Sequence, residues 1–142
     1  RACAEALVAQ IPQNGAVIAY NAAFERTCIL RLAERFSDLA DDLKAIAARI
    51  VDLLPVTREH WYHRDQGGSW SIKAVLPTIS HSGDYAMLDV ADGSAAQLAY
   101  LEAIAPVTTE ARGAEIAQSL RTYCAKDTFA MVEVVRHLTD TK

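Results

Sequence analysis

The chain has 142 residues, of which 51% are hydrophobic, and its 14 basic and 18 acidic residues give a formal net charge of −4 at pH 7. This length and composition suffice for one domain with a single core, and they exclude collagen-like, low-complexity and disordered chains. Because charges of both signs are dispersed, the overall field does not attract polyanions, so any nucleic-acid contact must rest on a local patch.

Compartment and membrane association can also be predicted from the sequence. No apolar run reaches the roughly 20 residues needed to cross a bilayer, and we expect no secretory leader, since no basic-then-apolar pattern with a small-residue cleavage site is found. Cys3, Cys28 and Cys124 are far apart and form no CxxC pair, which favours reduced thiols. We therefore expect a cytoplasmic protein with no membrane partner.

The first half of the chain alternates between helical and strand patterns. Helical spacing is found at residues 2–11, from residue 22 onward and at 38–49, and Ser37 or Asp38 is a candidate cap for the last of these. Two short apolar runs, AVIAY at 16–20 and IVDLL at 50–54, are typical of parallel strands buried on both faces. The pattern predicts an α/β fold that is dominated by helices.

The second half is predicted to be helical. SIKAVLPTI indicates a short helix that ends at Pro77, residues 81–93 are polar and irregular, and residues 94–104 form an alanine-rich helix. Thr108 or Thr109 caps a last long helix or helix pair. Without a repeat or a linker, residues 1–142 are expected to form one domain.

Two short motifs carry the residues that could perform chemistry. In YCAKDT, Tyr123 and Asp127 are four residues apart and so share one helical face. In YNAAFE, Glu25 follows a strand tip, Asn21 can cap the helix or hold the turn, and Phe24 can anchor the helix in the core. Taken alone, such residues more often serve as a core aromatic, a surface acid, a helix cap and a first-turn acid.

Taken together, three ordered motifs are more specific: YNAAFE at 20–25, GSWSIKAVLP at 68–77 and YCAKDT at 123–128. Their order resembles that of the DnaQ-like and RNase D-like (DEDDy-type) 3'-5' exonucleases of the RNase H-like superfamily. The motifs look closest to a bacterial branch that is described as a domain of unknown function. The resemblance implies an RNase H-like fold and hydrolysis at DNA or RNA 3' ends.

The resemblance also implies a role for each motif residue. Exonucleases of this kind use two Mg²⁺ or Mn²⁺ ions held by four carboxylates. Glu25 and Asp127 would be metal ligands and catalytic residues, and Tyr123 would orient the attacking water. The other two acids belong to an Asp-x-Glu strand that this sequence lacks before residue 16, and Glu5 does not replace it.

Two consequences are expected from the missing strand. The chain resembles the C-terminal part of a larger domain, and we expect it to be inactive by itself because two carboxylates bind Mg²⁺ weakly. The alternative is a non-catalytic nuclease-like scaffold that binds a protein partner or nucleic acid. An exposed edge of the strand at 16–20 predicts a homodimer or swapped assembly.

Nucleic acid could approach through residues 58–73, where cations alternate with aromatic side chains. Trp61 and Trp70 either stack on bases or pack against the sheet, and the sequence does not decide between these. Ser71 and Lys73 are candidates for a backbone phosphate contact by resemblance, and Asn21 completes the predicted nucleic-acid-binding set. Asp52 is expected to cap the turn that follows the second strand.

Overall fold

The computed structural model describes residues 1–80 and 93–140. Seven helices and two strands are found there: α1 Ala2–Gln10, β1 Val17–Ala19, α2 Ala23–Arg35, α3 Ala40–Ala48, β2 Ile50–Asp52, α4 Leu53–His60, α5 Ile72–Ile79, α6 Gly93–Ala103 and α7 Glu110–Asp140. Helices dominate, and the two strands are short and parallel, as the sequence predicts. The chain divides into an N-terminal unit, Arg1–Tyr62, and a C-terminal unit, His63–Lys142.

The two strands form a parallel pair in the N-terminal unit. Val17 lies opposite Ile50, Ile18 opposite Val51, and Ala19 opposite Asp52. Both strands are shorter than the runs at 16–20 and 50–54. A parallel pair requires a crossover connection, which α2 and α3 supply.

One face of this strand pair is covered and the other is exposed. The core of the N-terminal unit is built from α1, α2, α3 and the strands, and its buried members are Ala4, Ala19, Ala22, Ile29, Ala33, Leu43, Ile46, Ala47 and Ile50. The neighbours Ile18 and Val51 are instead 36% and 42% exposed. The expectation that both faces of the strands are buried is therefore wrong for this pair.

Two boundaries differ from the predicted ones. The second strand ends at Asp52 rather than Leu54, because Asp52 caps α4 and Pro55 lies in the first turn of that helix, where no backbone N–H is needed. Residues 37–39 form a 3-10 turn before α3, and neither Ser37 nor Asp38 caps α3. The Asp38 carboxylate binds the Arg1 guanidinium instead.

The C-terminal unit packs α5 and α6 on the long helix α7. Leu76 of α5 and Ala130 of α7 are fully buried against each other, with Ile72 beside them. Pro77 lies inside α5, which runs to Ile79, so the prediction that the helix ends at Pro77 is wrong by two residues. The Thr109 hydroxyl accepts a hydrogen bond from the Arg112 N–H at 3.3 Å, as predicted for the cap of the last helix.

The remaining expectations concern cysteines, membranes and the polar segment before α6. Cys3 and Cys124 are exposed, Cys28 is half-buried, and all three are free thiols. Across residues 1–80 and 93–140, no helix is long and apolar enough to cross a membrane. The predicted irregular segment at 81–93 falls outside the described residues except for Gly93, which begins α6.

Candidate functional site

The turn after β1 places Glu25 on the first turn of α2. Asn21 has a φ of 61°, the left-handed conformation that asparagine tolerates better than most side chains. Within the described chain the α2 cap position is Ala22 and no side chain caps it, so Asn21 shapes the turn rather than capping the helix. Glu25 is exposed, with its carboxylate near the positive end of the helix dipole.

Phe24 contradicts its predicted role. Its ring is 74% exposed, so it does not anchor α2 in the core of this chain. Ala22 and Ile29 are buried instead and hold the N-terminal half of α2 against the core. An exposed aromatic side chain therefore stands next to an exposed carboxylate in this turn.

Asp52 connects the ends of both strands. Its Oδ1 accepts hydrogen bonds from the backbone N–H groups of Asn21 at 2.8 Å and Leu54 at 2.9 Å, and its Oδ2 accepts one from Ala22 at 3.0 Å. The expected capping role is confirmed at Leu54, and the two bonds to the β1–α2 turn were not predicted. They follow from the register, because Ala19 lies opposite Asp52 and the next residues must pass its side chain.

The half-buried Tyr20, one residue before that turn, contacts the buried Thr57. The Tyr20 hydroxyl is hydrogen-bonded to Thr57, which is fully buried and donates its own hydroxyl to the Leu53 carbonyl at 2.8 Å. Burial raises the pKa of Tyr20 above its ordinary value, and the bond to Thr57 opposes part of that rise. Tyr20 of the YNAAFE motif is therefore a structural residue that ties β1 to α4.

Tyr123 and Asp127 lie one turn apart in the middle of α7. Tyr123 is 8% exposed and Asp127 is half-buried. The Asp127 Oδ1 atom is buried and has no hydrogen-bond partner among the described residues. A buried carboxylate oxygen without a donor is costly, so this atom is suited to accept a ligand or a cation.

The GSWSIKAVLP motif contains Lys73, whose ammonium contacts the Tyr123 ring. Ser71 caps α5, with its hydroxyl accepting the Lys73 N–H at 3.4 Å. The Lys73 ammonium lies over the Tyr123 ring, with Nζ 5.1 Å from the ring centroid. Trp70 directly precedes Ser71 and is half-buried, and Trp61 in the N-terminal unit is half-buried as well. Each ring is therefore only partly available for stacking on a base.

Half of the chain has a recognisable family relationship. Residues 1–71 match the family described as "Domain of unknown function (DUF2779)". The chain belongs to the DUF2779 family. No curated protein and no solved structure matches the chain.

The DUF2779 match covers YNAAFE completely and GSWSIKAVLP only to Ser71, and it ends before Tyr123 and Asp127. A relationship to a domain of unknown function is thus shown over residues 1–71. Lys73 and the YCAKDT motif lie in the half of the chain outside that match.

The structure gathers some predicted site residues of this DUF2779 chain and leaves others in separate units. Tyr123, Asp127, Ser71 and Lys73 belong to the C-terminal unit, in which α5 packs on α7. Glu25 and Asn21 belong to the N-terminal unit. Neither unit assembles three His, Cys, Asp or Glu side chains around a possible metal position among its described residues.

Proposed function

We propose that this chain is part of a metal-dependent 3'-5' exonuclease-like domain of the RNase H-like superfamily that acts on DNA or RNA 3' ends. The observation that carries the proposal is the buried Asp127 Oδ1, which lacks a hydrogen-bond partner among the described residues and stands one turn from the buried Tyr123. The position of Glu25 just past a parallel strand adds support, because open α/β folds place ligand sites at such strand ends.

The donor chemistry of these residues fits Mg²⁺ or Mn²⁺. Both ions prefer carboxylate oxygens, and Asp127 offers an oxygen that no described donor satisfies. Glu25 offers an exposed carboxylate. Bound metal would supply Lewis-acid stabilisation of charge on phosphate oxygens.

The other named residues have distinct tasks in this proposal. Tyr123, held by burial, presents a hydroxyl that can orient water. Ser71 and Trp70, at the start of α5 in the C-terminal unit, are proposed to contact nucleic acid, and Asn21 is proposed as a separate nucleic-acid contact of the N-terminal unit.

A non-catalytic scaffold is the second candidate. It is favoured because neither unit assembles three metal-ligating side chains among the described residues. Two carboxylates alone bind Mg²⁺ weakly, because the ion keeps most of its water shell. Such a scaffold would bind a protein partner or nucleic acid without cutting it.

Cleavage and metal binding distinguish the two candidates. We expect the full gene product, with Mn²⁺ or Mg²⁺, to shorten a labelled single strand that has a free 3' end, and to spare the same strand with a blocked 3' end. Glu25→Ala and Asp127→Ala should each abolish shortening, and Tyr123→Phe should reduce it. Glu34→Ala on α2 and Asp140→Ala on α7 are matched controls, since both remove exposed acids from the same helices.

A metal titration gives a readout that does not depend on cleavage. Mn²⁺ should raise the melting temperature of the wild type and of both control variants, and raise it less in Asp127→Ala. Strand binding without shortening, together with no metal-dependent change in melting, would favour the scaffold. Shortening that survives in Glu25→Ala and Asp127→Ala would refute both assignments.

A second copy of the chain is the protein partner that we propose. β1 pairs only with β2 among the described strands, and Ile18 and Val51 form an exposed apolar face on that pair. Parallel sheets are usually covered on both faces, so this surface favours association. Light scattering should give a dimer mass that Ile18→Lys reduces to that of a monomer, and a monomeric wild type at all concentrations would contradict the proposal.

A further inference from the structure

The contact between Lys73 and Tyr123 joins two of the three sequence motifs. Lys73 stands on the first turn of α5 and is half-buried, and Tyr123 in the middle of α7 is 8% exposed. The Nζ atom lies 5.1 Å from the ring centroid, within the range in which an ammonium is attracted to the face of an aromatic ring. The resemblance alone assigned Lys73 to a phosphate.

The surroundings of this contact hold the lysine in place. Ser71 caps α5 by accepting the Lys73 backbone N–H, so the residue is fixed at the second position of the helix. Leu76, one turn further along α5, is fully buried against Ala130 of α7. The packing of α5 on α7 therefore places the Lys73 side chain at the level of Tyr123.

We infer that Lys73 is a positioning residue for Tyr123: its ammonium holds the tyrosine ring and so fixes the direction of its hydroxyl, on the helical face that also carries Asp127. This inference rests on the proposed function for its catalytic consequence, whereas the contact itself can be measured without catalysis. A tyrosine that orients water must keep its hydroxyl in one place, and a ring fixed on its face by a cation loses freedom to tilt. Lys73 acts through Tyr123 and not by touching substrate.

The contact is tested first without any substrate. Lys73→Met keeps the apolar stem and removes the ammonium, and Lys73→Arg keeps a cation that can stack on a ring. NMR signals of the Tyr123 ring, assigned with Tyr123→Phe, should shift in Lys73→Met and remain close to wild type in Lys73→Arg. Lys44→Met, at an exposed position of α3 in the N-terminal unit, is the matched control and should leave these signals unchanged.

Kinetics of strand shortening then separate positioning from phosphate binding. Lys73→Met should lower kcat about tenfold with little change in KM, Lys73→Arg should restore most of kcat, and Lys73→Met should have no further effect in a Tyr123→Phe background. A raised KM, a reduced salt dependence of binding and an additive loss in the double variant would overturn the inference in favour of a phosphate contact.

The two proposals fail in different ways. Absence of metal-dependent shortening in the wild type would refute the proposed exonuclease function, and unchanged Tyr123 ring signals in Lys73→Met would refute the positioning contact. Shortening by the wild type, together with unchanged ring signals and unchanged kcat in Lys73→Met, would overturn the inference about Lys73 alone.

Discussion

Replacing Asp52 with alanine should destabilise the N-terminal unit by about 2–4 kcal/mol. The change removes the cap of α4, which is typically worth about 1 kcal/mol. It also removes two hydrogen bonds from the backbone N–H groups of Asn21 and Ala22, and bonds to a charged acceptor contribute roughly 1.5–3 kcal/mol each. Water can replace the hydrogen bond lost at the exposed Asn21 N–H, so the expected loss of stability is smaller than the sum of the three contributions.

A series of substitutions at Asp52 separates the contributions of its three hydrogen bonds to stability. In Asp52→Asn the side-chain oxygen can keep the bonds from Asn21 and Leu54, but its amide then faces the Ala22 N–H, so two donors oppose each other. Asp52→Ser keeps only the cap at Leu54. We expect both variants to lie between wild type and Asp52→Ala in stability.

Urea unfolding monitored by circular dichroism measures these differences, and amide hydrogen exchange at Ala22 and Leu54 reports the loss locally. Asp42→Ala on α3 removes an exposed acid and should change the free energy of unfolding by no more than about 0.5 kcal/mol. A loss below about 1 kcal/mol in Asp52→Ala, with unchanged exchange at Ala22, would show that the carboxylate does not hold the two strand ends together.

Three further predictions test particular side chains. Phe24→Ala should change stability by less than about 0.5 kcal/mol because the ring is 74% exposed, whereas a loss of about 3 kcal/mol in urea unfolding would indicate burial. Burial raises the pKa of Tyr20, so Tyr20 ionises at lower pH in the unfolded chain than in the folded one. The free energy of unfolding should therefore be unaffected by Tyr20 below about pH 10 and should fall as the pH rises through the folded pKa. In melting curves at these pH values, Tyr20→Phe should show a smaller decrease of the melting temperature than the wild type. Gly68 has a φ of 79°, so Gly68→Ala should cost about 1 kcal/mol, whereas Gly113→Ala inside α7 should raise stability by up to about 1 kcal/mol in the same denaturation assay.

The helices and the two parallel strands could be predicted from sequence because each has a local cause. Short, largely apolar runs at 16–20 and 50–54 indicated strands, and Thr108 or Thr109 was the predicted cap of the last helix, of which Thr109 caps α7. The exact ends were less predictable, since Pro55 fits the first turn of a helix as well as it ends a strand.

Side-chain burial was predicted less well than secondary structure. Phe24 follows the helical apolar pattern of α2, yet it is exposed because only part of that helix faces the core of this chain. Ile18 and Val51 are likewise exposed between buried or half-buried neighbours, which a short run of mostly apolar residues does not reveal. The pattern reports which residues tolerate burial, whereas tertiary packing decides which are buried.

The candidate site was predictable as residue types but not as contacts. The four-residue spacing of Tyr123 and Asp127 predicted that they share one face of a helix, and the strand before Asn21 predicted that Glu25 lies on the first turn of the next helix. The Lys73 contact with Tyr123 depends on how α5 packs on α7, and the bonds from Asp52 to the β1–α2 turn depend on strand register. Neither has a local sequence signal.

The length of α7 sets how its two site residues can move. Tyr123 and Asp127 stand near the middle of one continuous helix of 31 residues, with more than ten helical residues on each side. Their mutual spacing is therefore as rigid as the helix itself, and any rearrangement on ligand binding must carry both together as a slide or a rotation of α7. Substitutions along the surface on which α7 packs would therefore change the orientation of this pair without changing either residue.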